Sequence, residues 1–123
     1  MDIIESLVAT LKGSSDLISQ LADGEGGVHS DLTAYSGRYP VICYQVINDV
    51  PHLWGDDVET ARRVTVQISI LTEDGADTDM VSIVNRLMLG LDWMRVSTDR
   101  VTAQDGIRIT AMRYVIAEAV GDA

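Results

Sequence analysis

The chain has little of what most functional signatures are written in. Its 123 residues hold one cysteine, two prolines, two histidines, a single lysine and no phenylalanine. One cysteine, Cys43, excludes an internal disulfide and a thiolate zinc cluster, and its place in an apolar run reads as a small buried hydrophobe. No apolar stretch is long enough to span a bilayer, so no membrane partner is expected, and the acidic start (MDIIES) lacks the basic opening of a signal peptide. HExxH, GxSxG, CxxC and Walker patterns are all missing. Nothing in the sequence calls for a cofactor or a metal.

Charge of one sign is scarce too. Nineteen acidic residues face nine basic ones, for a formal charge of −10, and eight of the nine bases are arginines. Such a surface repels a polyphosphate backbone, which argues against sequence-independent gripping of DNA or RNA. Arginine suits bidentate contacts across protein interfaces better than lysine does.

What is present is a pattern of elements. The clearest is residues 62–72, RRVTVQISILT. Val64, Val66, Ile68 and Ile70 alternate with Thr65, Gln67 and Ser69, the period-two signature of a strand with one buried and one polar face. Burying the four aliphatic side chains is worth roughly 6–12 kcal/mol before any discount for a compact unfolded state. After a Glu73-Asp74-Gly75 turn, Asp77 or Thr78 caps a helix whose stripe is Met80, Val84, Leu87, Met88 and Leu91. Val66, Ile68, Val84 and Leu87 are expected to face one another between strand and helix.

Before this unit, Ile3, Ile4, Leu7, Val8 and Leu11 recur at helical spacing, with Asp2 and Glu5 in the first turn and Gly13 at the end. Ser14 or Ser15 caps a second, short helix carrying Leu17, Ile18 and Leu21. GEGG at 24–27 reads as a turn; without a preceding strand or a following GK[ST] it is no phosphate loop. Residues 28–35 (VHSDLTAY) read as a strand. The next run, PVICYQVI, is apolar on both faces: Val41, Cys43 and Ile47 on one, Ile42, Tyr44 and Val46 on the other. A strand covered on both sides needs a helix on one and something else, such as another subunit, on the other.

Residues 48–61 (NDVPHLWGDDVETA) then form a long acidic connection, with part of it able to extend the flanking strands into a protruding hairpin. Its apolar members have to bury against something, so Pro51, Leu53 and Trp54, with Asp56 and Asp57 beside them, are the candidate interface residues. Asp56, Asp57 and Glu59 lack the alternating ligands and glycine of a calcium loop and read as a solvated acidic stretch. His29 and His52 stand alone and read as surface or turn residues. Two strands close the chain, 95–102 and 107–117, joined by a Gln104-Asp105-Gly106 turn. The last three residues read as a polar, frayed tail. The fold class expected is α+β: a mixed or antiparallel sheet of about four to five strands against a main helix and N-terminal helices, in one domain.

The order of these elements resembles a known family. Two helices, a strand, the Pro-led YPVICYQVI strand, a long connection, RRVTVQISILT, the capped helix with VSIVNRLMLGL and the closing IRITAMRYVI hairpin are similar to the tail terminator and tail-completion proteins of long-tailed bacteriophages and phage-like gene transfer particles. The resemblance covers nearly the whole chain and rests on element order, without a catalytic motif. It implies a non-enzymatic virion protein at the head-proximal end of the tail. Such a protein forms a homo-oligomeric ring, commonly a hexamer, on the last tail-tube ring, stops tube polymerisation, and presents a surface to the connector or stopper proteins of the head. DNA would pass through its lumen without specific binding. Two other readings stay open: another neck component, a stopper or head–tail adaptor, told apart by its binding partner; and a small ligand-binding domain, which a deep polar pocket with converging titratable groups would favour.

Overall fold

A computed structural model describes residues 2–30, 38–55 and 58–119. Helix α1 (Ile3–Lys12) starts where Asp2 accepts a hydrogen bond from the Ile4 amide at 2.7 Å, satisfying one of the first-turn donors. Helix α2 (Ser15–Ile18) is capped by Ser14, whose hydroxyl accepts from the Leu17 amide. GEGG, expected as a turn, forms a short 3-10 helix (Gly24–Gly27). It leads into β1 (Val28–Ser30). The rest of the 28–35 strand expected from sequence, and the tail, lie outside the described residues.

Strands β2 (Val41–Gly55) and β3 (Val58–Thr72) are the two longest elements. Helix α3 (Thr78–Gly90) follows, then β4 (Met94–Thr102) and β5 (Arg108–Ala119). They form one five-stranded sheet in the order β1-β2-β3-β5-β4, in which β1 and β2 are parallel and the other pairs antiparallel. The fold is α+β, as the sequence implies, with β3 central. Gly106 takes a positive φ of 86° in the β4–β5 turn, where a side chain would be strained.

The main core lies on one face of this sheet. Val64, Val66, Ile68 and Ile70 of β3, Met112 and Tyr114 of β5 and Ile42 of β2 meet Leu7, Leu11 and Leu17 of the N-terminal helices and Met80, Val84 and Met88 of α3. Val66, Ile68 and Val84 belong to this one buried cluster, and Leu87 and Leu91 pack against it only partly buried. At the end of α3, Asp92 adopts a left-handed φ of 70° and the Trp93 amide bonds back to the Met88 carbonyl. That reversal returns Trp93 to the core, 2% exposed. A smaller cluster of Val41, Cys43 and Leu71, with Tyr39, Ile107 and Ile109 against it, occupies one end of the opposite face. Cys43 is accordingly buried, as its apolar surroundings imply.

Strand β2 departs from the two-faced apolar reading. Val41, Ile42 and Cys43 are buried, but Val46 and Ile47 are 50% and 41% exposed. Val115 and Ile116 of β5 are half-buried, so the last strand keeps the mixed faces its sequence implies.

Candidate functional site: an acidic ribbon

The long acidic connection is not a loop. Residues 48–55 and 58–61 continue β2 and β3 as an antiparallel ribbon, with Pro51 opposite Arg62, Leu53 opposite Ala61, Trp54 opposite Glu59 and Gly55 opposite Val58. The extended-hairpin alternative is therefore the right one for this segment. Proline, glycine and acidic residues are poor strand formers, and the ladder with β3 overrides that preference. Register irregularities fall between Val46 and Asn48 and on both sides of Leu53. Such bulges bend and twist a ribbon.

The ribbon outruns its support. Strand β5 ends at Ala119, opposite Ala61, so the part beyond is two-stranded among the described residues. Arg62 marks the root. Its guanidinium donates to Glu118 of β5 (2.7 and 2.9 Å) and to Asp49 of β2 (3.0 Å), joining three strands. The Glu118 hydrogen bond, reinforced by the charges of Asp49 and Glu118, shifts Arg62 further toward its charged form. Of the candidate interface residues, the backbones of Pro51, Leu53 and Trp54 lie in β2 near the tip, and Asp56 and Asp57 lie outside the described residues. The histidines are strand residues rather than turn residues: His29 sits in β1 opposite Cys43, and His52 in β2.

A polar cluster that sequence reasoning missed lies between α3 and the β4–β5 hairpin. Asp77 occupies the N-cap position but makes no capping hydrogen bond with its side chain. It is 3% exposed, and its carboxylate accepts from the Thr110 hydroxyl and from Arg100 at 3.3 Å. Arg100 also donates to the Thr110 oxygen at 3.3 Å, closing a three-membered network. The only local signal, an acid before a helix, is the same for a cap and for a buried anchor. The network lacks a nucleophile-and-base pair, and its acid is neutralised by its own partners.

Concavities open on the described surface. One of about 370 Å³ lies between α2 and α3, lined by Asp16, Ser19, Gln20, Asp79, Ser82 and Ile83. Another, about 300 Å³, runs beside β2 at Ser30, Tyr44, Gln45 and Val46, where β1 ends. Among the described residues no three His, Cys, Asp or Glu side chains are grouped to hold a metal ion, and no helix is long and apolar enough to cross a membrane. Comparison with protein-family models gives no match, and comparison with curated proteins gives none either.

Proposed function

We propose that the chain is a structural virion protein of a phage-type tail, one that assembles as a ring at the head-proximal end of the tail tube, ends tube growth and joins tail to head. The observation that carries this reading is the acidic ribbon: a two-stranded arm among the described residues, reaching past the sheet, with the backbones of Leu53 and Trp54 near its tip. An arm of that kind offers contact area to a neighbouring molecule and has little to offer a small substrate. The tail terminator resemblance rests on the order of elements, and the partners it implies are further copies of the chain, the tail tube protein and a head-side connector.

The excess of acidic over basic residues fits a lumen through which DNA slides without sticking. Tight, salt-sensitive DNA binding by the isolated protein would count against that part of the proposal.

The test is to mix the protein with tail tube protein and follow tube length and end structure by electron microscopy. Terminated tubes bearing a ring at one end are expected. Binding to portal-side proteins alone would point to a stopper or adaptor instead. Trp54→Ala should keep the wild-type circular dichroism spectrum yet lose ring formation or capping, since a buried tryptophan anchor is worth about 2–4 kcal/mol per contact. A variant that assembles and caps normally removes the ribbon tip from the interface; one that unfolds places Trp54 in the core.

A further inference from the structure

We infer that the outer edge of β4 docks an extended segment of another protein, one that carries acidic side chains at alternate positions. This goes beyond the tail reading and holds whether or not the chain ends a tail tube. Strand β4 closes one side of the sheet, and no described residue pairs with its far side. Eight of its nine residues are exposed, Met94 (65%), Val96 (55%) and Val101 (55%) among them. The residues outside those described join the chain before Asp2, between β1 and Arg38, at the ribbon tip and past Ala119. Ala119 lies six residues beyond Arg113, the partner of Ser97, so none of these junctions adjoins residues 97–102. The register of β4 slips between Arg95 and Ser97 and is regular from there on, over about the length of an ordinary strand. Such an edge presents N–H and C=O groups in want of partners.

Charge selects the occupant. Arg95, Thr98 and Arg100 stand opposite Tyr114, Met112 and Thr110, which are buried on the helix face, so they share that face. Thr102 and Arg108 are the next pair on it. Three arginines therefore gather on one face at this side of the sheet, in a chain whose formal charge is −10. One carboxylate answers them. Asp77, 3% exposed, accepts from Nη1 of Arg100, the same nitrogen that donates to Thr110. Neither Arg95 nor Arg108 is ion-paired among the described residues.

Arg108 is nonetheless held in place. Its side chain lies across Gly75, where φ is +77°, so closely that a Cβ there would stand 2.9 Å from Cδ and 3.0 Å from Nη1. The other acids nearby are turned to different tasks. Asp74 accepts from the Ala76 amide and Asp105 from the Ile107 amide, Glu73 is exposed, and Asp99, opposite Ala111, belongs to the other face. A hollow of about 220 Å³ opens here, lined by Arg100, Thr102, Arg108 and Thr110 with Val101 and Ile109. A carboxylate entering it meets guanidinium donors from two residues, the pairing arginine favours. Side chains of a strand added to β4 alternate between faces as its own do. Acids at every second position therefore fall on the side of Arg100 and Arg108, and the residues between them on the side of Ser97, Asp99 and Val101. Nucleic acid would answer the arginines and leave the backbone edge unpaired, and the acidic chain around the site repels it.

The test is fluorescence anisotropy of the full chain with a labelled eight-residue peptide alternating glutamate and valine. Saturable binding is expected, with none for the peptide alternating lysine and valine. Arg108→Gln, at an exposed position, should keep the wild-type circular dichroism spectrum and weaken binding at least about tenfold. If that variant does not fold, Arg95→Gln should weaken binding in its place. The glutamate–valine peptide with every amide N-methylated keeps its charge and cannot add to an edge, so it should not bind. Equal binding of that peptide would mean that charge alone holds it and would overturn the inference. So would unchanged affinity in a folded Arg108→Gln, or no binding of the unmethylated peptide up to millimolar concentration. Efficient disulfide dimerisation of Val101→Cys on oxidation would seat a second copy on the edge and overturn the choice of partner.

Discussion

The two faces of the sheet are made from the same strands and answer to different rules. On the face under the helices, Val64, Val66, Ile68 and Ile70 are at most 2% exposed and Met112 and Tyr114 are fully buried. On the other face the intervening residues of β3 are polar. Gln67 accepts a hydrogen bond from the exposed Arg113 and donates one to the buried hydroxyl of Ser69. One face gains by excluding water, the other by pairing its polar groups, and alternation along a single strand writes both. Substitution should therefore be costly on one side of β3 and mild on the other.

The largest effect is expected at Ile68, fully buried on the helix face. Ile68→Ala should cost about 2–5 kcal/mol in chemical denaturation. Leu87→Ala, at the half-buried rim of the same core, should cost less, about 1–2 kcal/mol. An Ile68→Ala loss below about 1 kcal/mol would mean that the helix face is not the main source of stability.

A second expected effect is on pH dependence. Burial pushes the Tyr114 phenol up to about 12, against a smaller opposing influence from Arg95, and its hydroxyl donates to Asn85 Oδ1 at 3.1 Å. A raised folded-state pKa means the folded protein keeps the proton that the unfolded chain releases from about pH 10 upward. The associated stability is thus fully present below about pH 10 and disappears as pH rises to about 12, a change on the order of 2 kcal/mol. Tyr114→Phe should flatten stability across that window; a wild-type protein already flat there would show the phenol to be solvated. The smallest effect is expected on the polar face, where Gln67→Thr should stay within about 0.5 kcal/mol of wild type. A loss as large as that at Ile68 would erase the distinction between the faces.

This asymmetry was largely legible in the sequence, because the period of two in β3 and the helical stripe of α3 are local signals that tertiary structure has no reason to override. Asp77 was legible only by position. Its partners, Arg100 and Thr110, are 23 and 33 residues away, and no local pattern marks an acid that will meet them. The ribbon was half legible: NDVPHLWGDDVETA has the composition of a loop, and only the long register with β3 turns it into strand. The exposure of Val46 and Ile47 was not legible, because the apolar run of β2 does not record how much of each face its neighbours cover.

Arg62 has a mechanical consequence. It grips Glu118 and Asp49 at the level where β5 gives out, so the ribbon is a cantilever with its root at that residue. Among the described residues three strands resist bending below the root and two above it, and a load applied near the tip flexes the beam there before it disturbs the helix-covered core. The clamp is made of partly exposed charges, which dissolved salt screens. The stiffness of the arm is thus set in part by the ionic strength around it, while the sheet that anchors it stays as rigid as its packing.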